Sequence, residues 1–80
     1  MDLTEKIILI IQQNTEKKME ILPHTQLRKE LGFDSFEMLM ITNAIEEEYL
    51  IQIDPADLAG IDTVEDIVKK LREKFPEIIG

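Results

Sequence analysis

Residues 32–49 read Gly-Phe-Asp-Ser-Phe-Glu-Met-Leu-Met-Ile-Thr-Asn-Ala-Ile-Glu-Glu-Glu-Tyr, and the arrangement of that stretch decides the fold. Gly32 breaks what precedes it. Asp34 stands before the apolar pattern with Glu37 three residues on, a spacing in which two carboxylates satisfy the free N–H groups of a helix start. A helix is therefore predicted from Asp34 to about Tyr49, and it carries two stripes. Met38, Ile41, Ile45 and Tyr49, with Thr42, share a face that is apolar along its length and belongs in a core. Phe36, Leu39, Met40, Asn43, Glu46 and Glu47 lie roughly opposite, apolar for one turn and polar afterwards. Either the preceding loop folds back over Phe36, Leu39 and Met40, or these three form an exposed patch rimmed by carboxylates. The second arrangement is that of a docking site rather than a core.

Nearer the start of the chain, Leu3, Ile7, Ile8 and Ile11 recur at helical spacing, so a first helix runs from Leu3 to about Thr15, with Asp2 and Glu5 placed for a capping box. Residues 16–33 hold Pro23, His24 and Gly32 and read as a long loop, pinned by Ile21, Leu22, Leu27 and Leu31. Loops longer than about 12–15 residues are uncommon and often functional. After the second helix comes an extended link from Leu50 to Ile53. Asp54-Pro55 then starts a short helix, with Asp as cap and Pro at the first helical position, stopped by Gly60. The last helix begins at Asp62 or Thr63 and buries Val64, Ile67, Val68, Leu71 and Phe75. Glu65 and Asp66 are spaced to pair with Lys69 and Lys70, the basic residues of its last turns suit the negative end of the dipole, and Pro76 ends it. No strand pattern of useful length appears. The expectation is an all-α fold: a small four-helix bundle of three main helices and one short helix, with a long first loop, in one domain over residues 1–80.

Charge narrows the function. Nine basic residues stand against 17 acidic ones, a formal net charge of −8. From Glu30 to Val68 there are 11 acidic residues and no Lys or Arg, so the surplus is concentrated in the middle of the chain. That argues against nucleic acid and anionic membrane surfaces as partners. It fits either a solvated face that keeps the protein soluble or a surface that selects basic partners. No apolar run is long enough to span a membrane, and the start of the chain lacks a basic signal-peptide region, so no membrane insertion and a cytoplasmic location are expected. There is no Cys, hence no disulfide framework and no thiolate metal site.

Catalytic groups are not apparent. Ser35 sits at a loop-to-helix junction and should be exposed, but no base stands near it in sequence. The single His, His24, is eleven residues back in a loop, and a Ser-His-Asp arrangement is not spelled out. Asp54, Asp57 and Asp62 lack calcium-loop spacing. Glu46, Glu47, Asp54 and Asp57 could gather a divalent cation, but weak counterion binding accounts for them as well, and no metal site is expected. An exposed Ser at a helix N-terminus could instead carry a phosphate-bearing group, favoured by the dipole and opposed by Asp34 and Glu37.

Gly32-Phe33-Asp34-Ser35-Phe36 at the start of a second helix resembles the signature of the acyl carrier protein family. The likeness runs nearly end to end. It includes the Ile-rich first helix, Leu27 and Leu31 in the long loop, residues 44–49 closing the second helix, Ile51 and Ile53, and residues 61–66 opening the last. The resemblance implies that Ser35 is the attachment point for 4′-phosphopantetheine, delivered from coenzyme A by a phosphopantetheinyl transferase. The arm's thiol would hold acyl groups as thioesters. The protein would catalyse nothing itself; as a monomer it would present its cargo to acyl-transferring or acyl-modifying enzymes with basic docking surfaces. Asp34 would assist the transferase's metal and phosphate chemistry. Phe36, Glu37, Leu39, Met40, Glu46 and Glu47 map to the family's recognition helix. General fatty-acid carriers usually have an acidic residue where Met40 stands and Leu where Phe36 stands, so the pattern favours a specialised carrier, as in polyketide, lipid-modifying or cell-surface glycan pathways, with fatty-acid synthesis left open. An aminoacyl carrier of the D-alanyl type, or an unmodified acidic helical adaptor, remains an alternative.

Overall fold

A computed structural model of the chain describes residues 2–16 and 19–79; positions 17 and 18 of the long loop lie outside the described residues. The elements are α1 (Leu3–Gln13), α2 (Ser35–Tyr49), α3 (Pro55–Leu58), α4 (Val64–Lys74) and α5 (Pro76–Ile79). The four expected helices are present, and no strand occurs among the described residues. Pro76 ends α4 as predicted but also opens one further turn, α5, because Pro suits the first position of a helix. α1 stops two residues earlier than expected. Asn14 turns its side-chain amide onto the Ile10 carbonyl at 2.8 Å and its backbone N–H onto that of Ile11, which closes the helix.

α1 packs against α2 and α4, and α3 against α4, around one apolar cluster. Ile7 and Ile11 of α1, Ile41 and Ile45 of α2, and Val64, Ile67 and Leu71 of α4 are almost wholly enclosed. Ile10 joins this core beside Leu3, Ile7 and Ile11, while Ile8, expected there, is only half-buried. On α4 the capping box is Thr63 with Asp66, each side chain bonded to the other's backbone N–H. That occupies Asp66 and leaves Lys70 to Glu73 at 3.8 Å, so the expected Asp66–Lys70 pair is replaced.

The long loop is tied down along its second half. Ile21, Leu27, Leu31 and Phe33 enter the core; Leu22, expected to anchor it, is exposed instead. The Leu22–Thr25 turn explains this: Thr25 is buried, its hydroxyl accepts the Leu22 N–H at 2.9 Å, and Leu22 is turned outward. Beyond the turn the backbone latches onto the α3–α4 junction. The Leu27 N–H donates to the Asp62 carbonyl at 2.8 Å, and the Glu65 N–H to that of Pro23 at 2.9 Å. The Arg28 N–H donates to Asp62 Oδ1 at 2.7 Å, and Arg28 Nη1 to the Ile61 carbonyl at 2.8 Å. Gln26 and Thr63 form an isolated antiparallel bridge. Buried backbone donors need partners, and here the loop finds them beside α3 and α4 rather than over the outer face of α2.

Candidate functional site

The start of α2 is built by two devices. Gly32, at φ +71°, supplies the left-handed turn that brings the chain out of the loop, a conformation costly for any residue with a Cβ. Phe33 is buried, with its N–H on the Leu27 carbonyl at 3.1 Å, so the residue before the cap is pinned. Asp34 then caps the helix. Its Oδ1 accepts the Glu37 N–H at 2.8 Å, and Glu37 Oε1 accepts the Asp34 N–H at 3.4 Å, the capping box expected from the spacing. Glu37 is also held from the other side, where the Thr15 hydroxyl donates to its Oε2 at 3.4 Å.

This places Ser35 at the first helical position, exposed, on a backbone fixed before and after it. It is the only serine in the chain. Beside it runs a groove of about 190 Å³ between Ser35, Met38, Leu39 and Thr42 on one side and Pro55, Leu58 and Ala59 on the other, with Arg28 at the rim. The groove is mostly apolar and open to solvent. A flexible arm attached at Ser35 has a wall to lie against and free water to swing through.

The outer face of α2 is uncovered. Phe36 is 67%, Leu39 54% and Met40 38% exposed, against 6% or less for Met38, Ile41 and Ile45 on the inner face. The fold thus favours a patch over a loop-covered core. A second concavity, of about 650 Å³, lies on the far side of Phe36 and Met40 against the end of α1 and residues 15–16. Glu47 projects from this face. Glu46, expected beside it as a free docking carboxylate, is half-buried, and its Oε2 accepts the Ile53 N–H at 2.7 Å. The sequence shows two adjacent carboxylates; only the fold shows that one staples the link after α2 while the other is exposed. Asp57 likewise pairs with Lys74 at 3.4 Å and Asp54 caps α3, so three of the four carboxylates considered for a cation are separately engaged. No cluster able to hold a metal occurs among the described residues. His24 is an exposed loop residue.

The family model for the phosphopantetheine attachment site matches residues 5–71. The chain belongs to the acyl carrier protein family. It is 35% identical over 65 residues to acyl carrier protein 3 of Ralstonia nicotianae, covering 80% of this chain and 75% of that protein. It is 39% identical over 61 residues to the meromycolate extension acyl carrier protein of Mycobacterium tuberculosis, covering 72% of this chain. The matched region spans about half the length of that relative, 53%. A solved structure described as a candidate acyl carrier protein from Mycobacterium tuberculosis superposes with a TM-score of 0.78 at 29% identity, over 90% of this chain and 97% of that one. Acyl carrier proteins are carriers rather than enzymes. Their prosthetic group is phosphopantetheine, and they work with a phosphopantetheinyl transferase and with acyl-handling enzymes. Among the described residues no helix is long and apolar enough to cross a membrane.

The residue that sequence reading missed is Arg28. It stands at the edge of the long stretch without Lys or Arg, next to Lys29, and nothing in the pattern distinguishes the two. The fold does: Arg28 lines the Ser35 groove.

Proposed function

We propose that Ser35 carries the 4′-phosphopantetheine arm and that the whole chain acts as one monomeric, cytoplasmic carrier unit. The observation that carries this reading is the single serine of the chain, exposed at the first position of α2 beside an open apolar groove. In loading, the Ser35 Oγ–P bond forms and a P–O bond of the coenzyme A pyrophosphate breaks. Adenosine bisphosphate leaves, and the serine proton passes to the transferase or to water. The arm's thiol then holds acyl groups as thioesters. Asp34 stands next to Ser35 and serves the transferase's metal and phosphate chemistry, in addition to capping α2.

Partner enzymes dock on Phe36, Glu37, Leu39, Met40 and Glu47, with Glu46 supporting this face from below. The exposure of Phe36 and Met40 where general fatty-acid carriers present Leu and a carboxylate supports service in a specialised acyl pathway. Such a face gives up one long-range charge contact for soft, adaptable apolar area.

The test is an intact mass after incubation with coenzyme A, magnesium and a broad-specificity phosphopantetheinyl transferase. The wild-type chain should gain one phosphopantetheine and Ser35→Ala none. An unmodified wild type, beside a control carrier loaded in the same tube, contradicts the assignment and leaves an acidic adaptor that keeps the fold without the chemistry.

A further inference from the structure

A phosphodiester on Ser35 enters an acidic neighbourhood. Asp34 and Glu37 flank it, and their capping box takes up the Glu37 and Asp34 N–H groups, two of the donors at the start of the helix. The surrounding stretch from Glu30 to Val68 contains no cation at all. A counter-charge from outside α2 would offset the repulsion of these carboxylates, and the groove holds one candidate. Arg28 lines the same groove as Ser35.

We infer that Arg28 is a binding residue for the phosphodiester of the prosthetic arm, a clamp that fixes the arm's first atoms at the mouth of the groove between Leu39 and Leu58. The inference rests on the assignment of Ser35 as the attachment point.

Three features favour Arg28 for this task. Its backbone is anchored, with the N–H on Asp62 Oδ1 at 2.7 Å. Its guanidinium is anchored too, with Nη1 on the Ile61 carbonyl at 2.8 Å. That bond takes one of five donors and leaves the planar fork able to meet phosphate oxygens, which arginine matches in geometry better than lysine does. No carboxylate forms an ion pair with this guanidinium among the described residues. Asp62 directs Oδ1 to the Arg28 backbone, and its buried Oδ2 has no hydrogen-bond partner. A side chain ordered before the ligand arrives loses less freedom on binding. The loop latch thus acquires a purpose beyond stability: the contacts that hold the loop on the α3–α4 junction also hold a cation beside Ser35. Lys29, adjacent in sequence and of the same charge, is exposed and does not line the groove.

The experiment compares loaded wild type, Arg28→Gln and Lys29→Gln by phosphorus NMR, after intact mass shows each to be fully loaded on Ser35. In the wild type the phosphodiester resonance should be displaced from its position in urea-unfolded protein. Arg28→Gln should remove most of that displacement and Lys29→Gln should keep it. The clamp is overturned if Arg28→Gln leaves the resonance where the wild type has it, or if Lys29→Gln moves it as far. Should Arg28→Gln not fold, the wild type alone decides: the Arg28 Nε–H resonance shifts on loading if the contact forms and stays in place if it does not. A wild type that takes no arm fails at the mass spectrum and removes the Ser35 assignment itself. A wild type that loads with an indifferent Arg28 removes the clamp only.

Discussion

α4 and α2 line the same core but place their apolar residues differently. On α4, Val64, Ile67, Val68 and Leu71 are all buried, and the remaining positions of the helix are charged. On α2, Met38, Ile41 and Ile45 are buried while Phe36, Leu39 and Met40 stand in solvent. One helix holds the bundle together. The other does so with one face and leaves the opposite face, next to Ser35, exposed, where we propose that partners dock. Hydrophobicity alone does not separate the two uses. What separates them is where the long loop goes, and that is decided by its contacts with Ile61, Asp62 and Glu65.

Truncating one residue on each face should separate the two helices by the widest margin. Ile45→Ala should cost about 2–5 kcal/mol in urea unfolding, as should Ile67→Ala on α4, because both empty a closed core. Leu39→Ala should stay within about 0.5 kcal/mol of the wild type, as surface substitutions do. Equal losses at Ile45 and Leu39 would mean that the outer face is covered after all.

A smaller effect separates the two neighbouring carboxylates at the far end of α2. Glu46→Ala leaves the Ile53 N–H without its acceptor, which should cost about 1–3 kcal/mol. Glu47→Ala should leave the melting curve unchanged while slowing transfer to or from a basic partner. If both variants melt alike, the Glu46 staple carries no stability.

Leu50 offers a finer test, since it ends α2 in the left-handed conformation at φ 54° and is 89% exposed. A side chain there costs about 1–2 kcal/mol, and glycine escapes that cost at the expense of a more flexible unfolded chain. Leu50→Gly should therefore raise stability slightly, by up to about 1 kcal/mol. A lower melting temperature would show that Leu50 makes a contact that its exposure hides.

The smallest effect is a pH dependence. Burial pushes the Tyr49 phenol above its ordinary value of 10.0, with Lys6 pulling it down and Glu48 adding to the rise. The folded state then holds the proton more tightly than the unfolded one. Stability from this group is fully present below pH 10 and is lost as pH rises through the folded value. Tyr49→Phe should flatten that alkaline decline, and an unchanged slope would assign it to other groups.

Much of this was readable in the chain itself, because it depends on local chemistry. The Asp34–Glu37 spacing marks the start of α2, Asp54-Pro55 marks α3, and the four-residue rhythm of Val64, Ile67, Val68 and Leu71 marks α4. The same local rules locate Ser35 at an exposed helix start. What was not readable depends on contacts between residues far apart in sequence. Glu46 and Glu47 look equivalent until Ile53 folds back to one of them. Arg28 and Lys29 look equivalent until Ile61 and Asp62 turn one of them toward the groove. Ile10 joins the core because α1 is covered on two sides, by α2 and α4, which widens the buried stripe beyond Leu3, Ile7 and Ile11. Leu22 is excluded because Thr25 takes the inward position of their turn.

The measurement that bears most directly on the division between α2 and α4 is amide shift mapping of the unmodified protein titrated with a phosphopantetheinyl transferase. The largest changes should fall on Ser35, Phe36, Leu39, Met40 and Glu47, leave Val64–Leu71 nearly still, and fade as added salt screens the exposed charges. Changes centred on α4, or a footprint indifferent to salt, would contradict the assignment of the outer face of α2 as the working surface of this carrier.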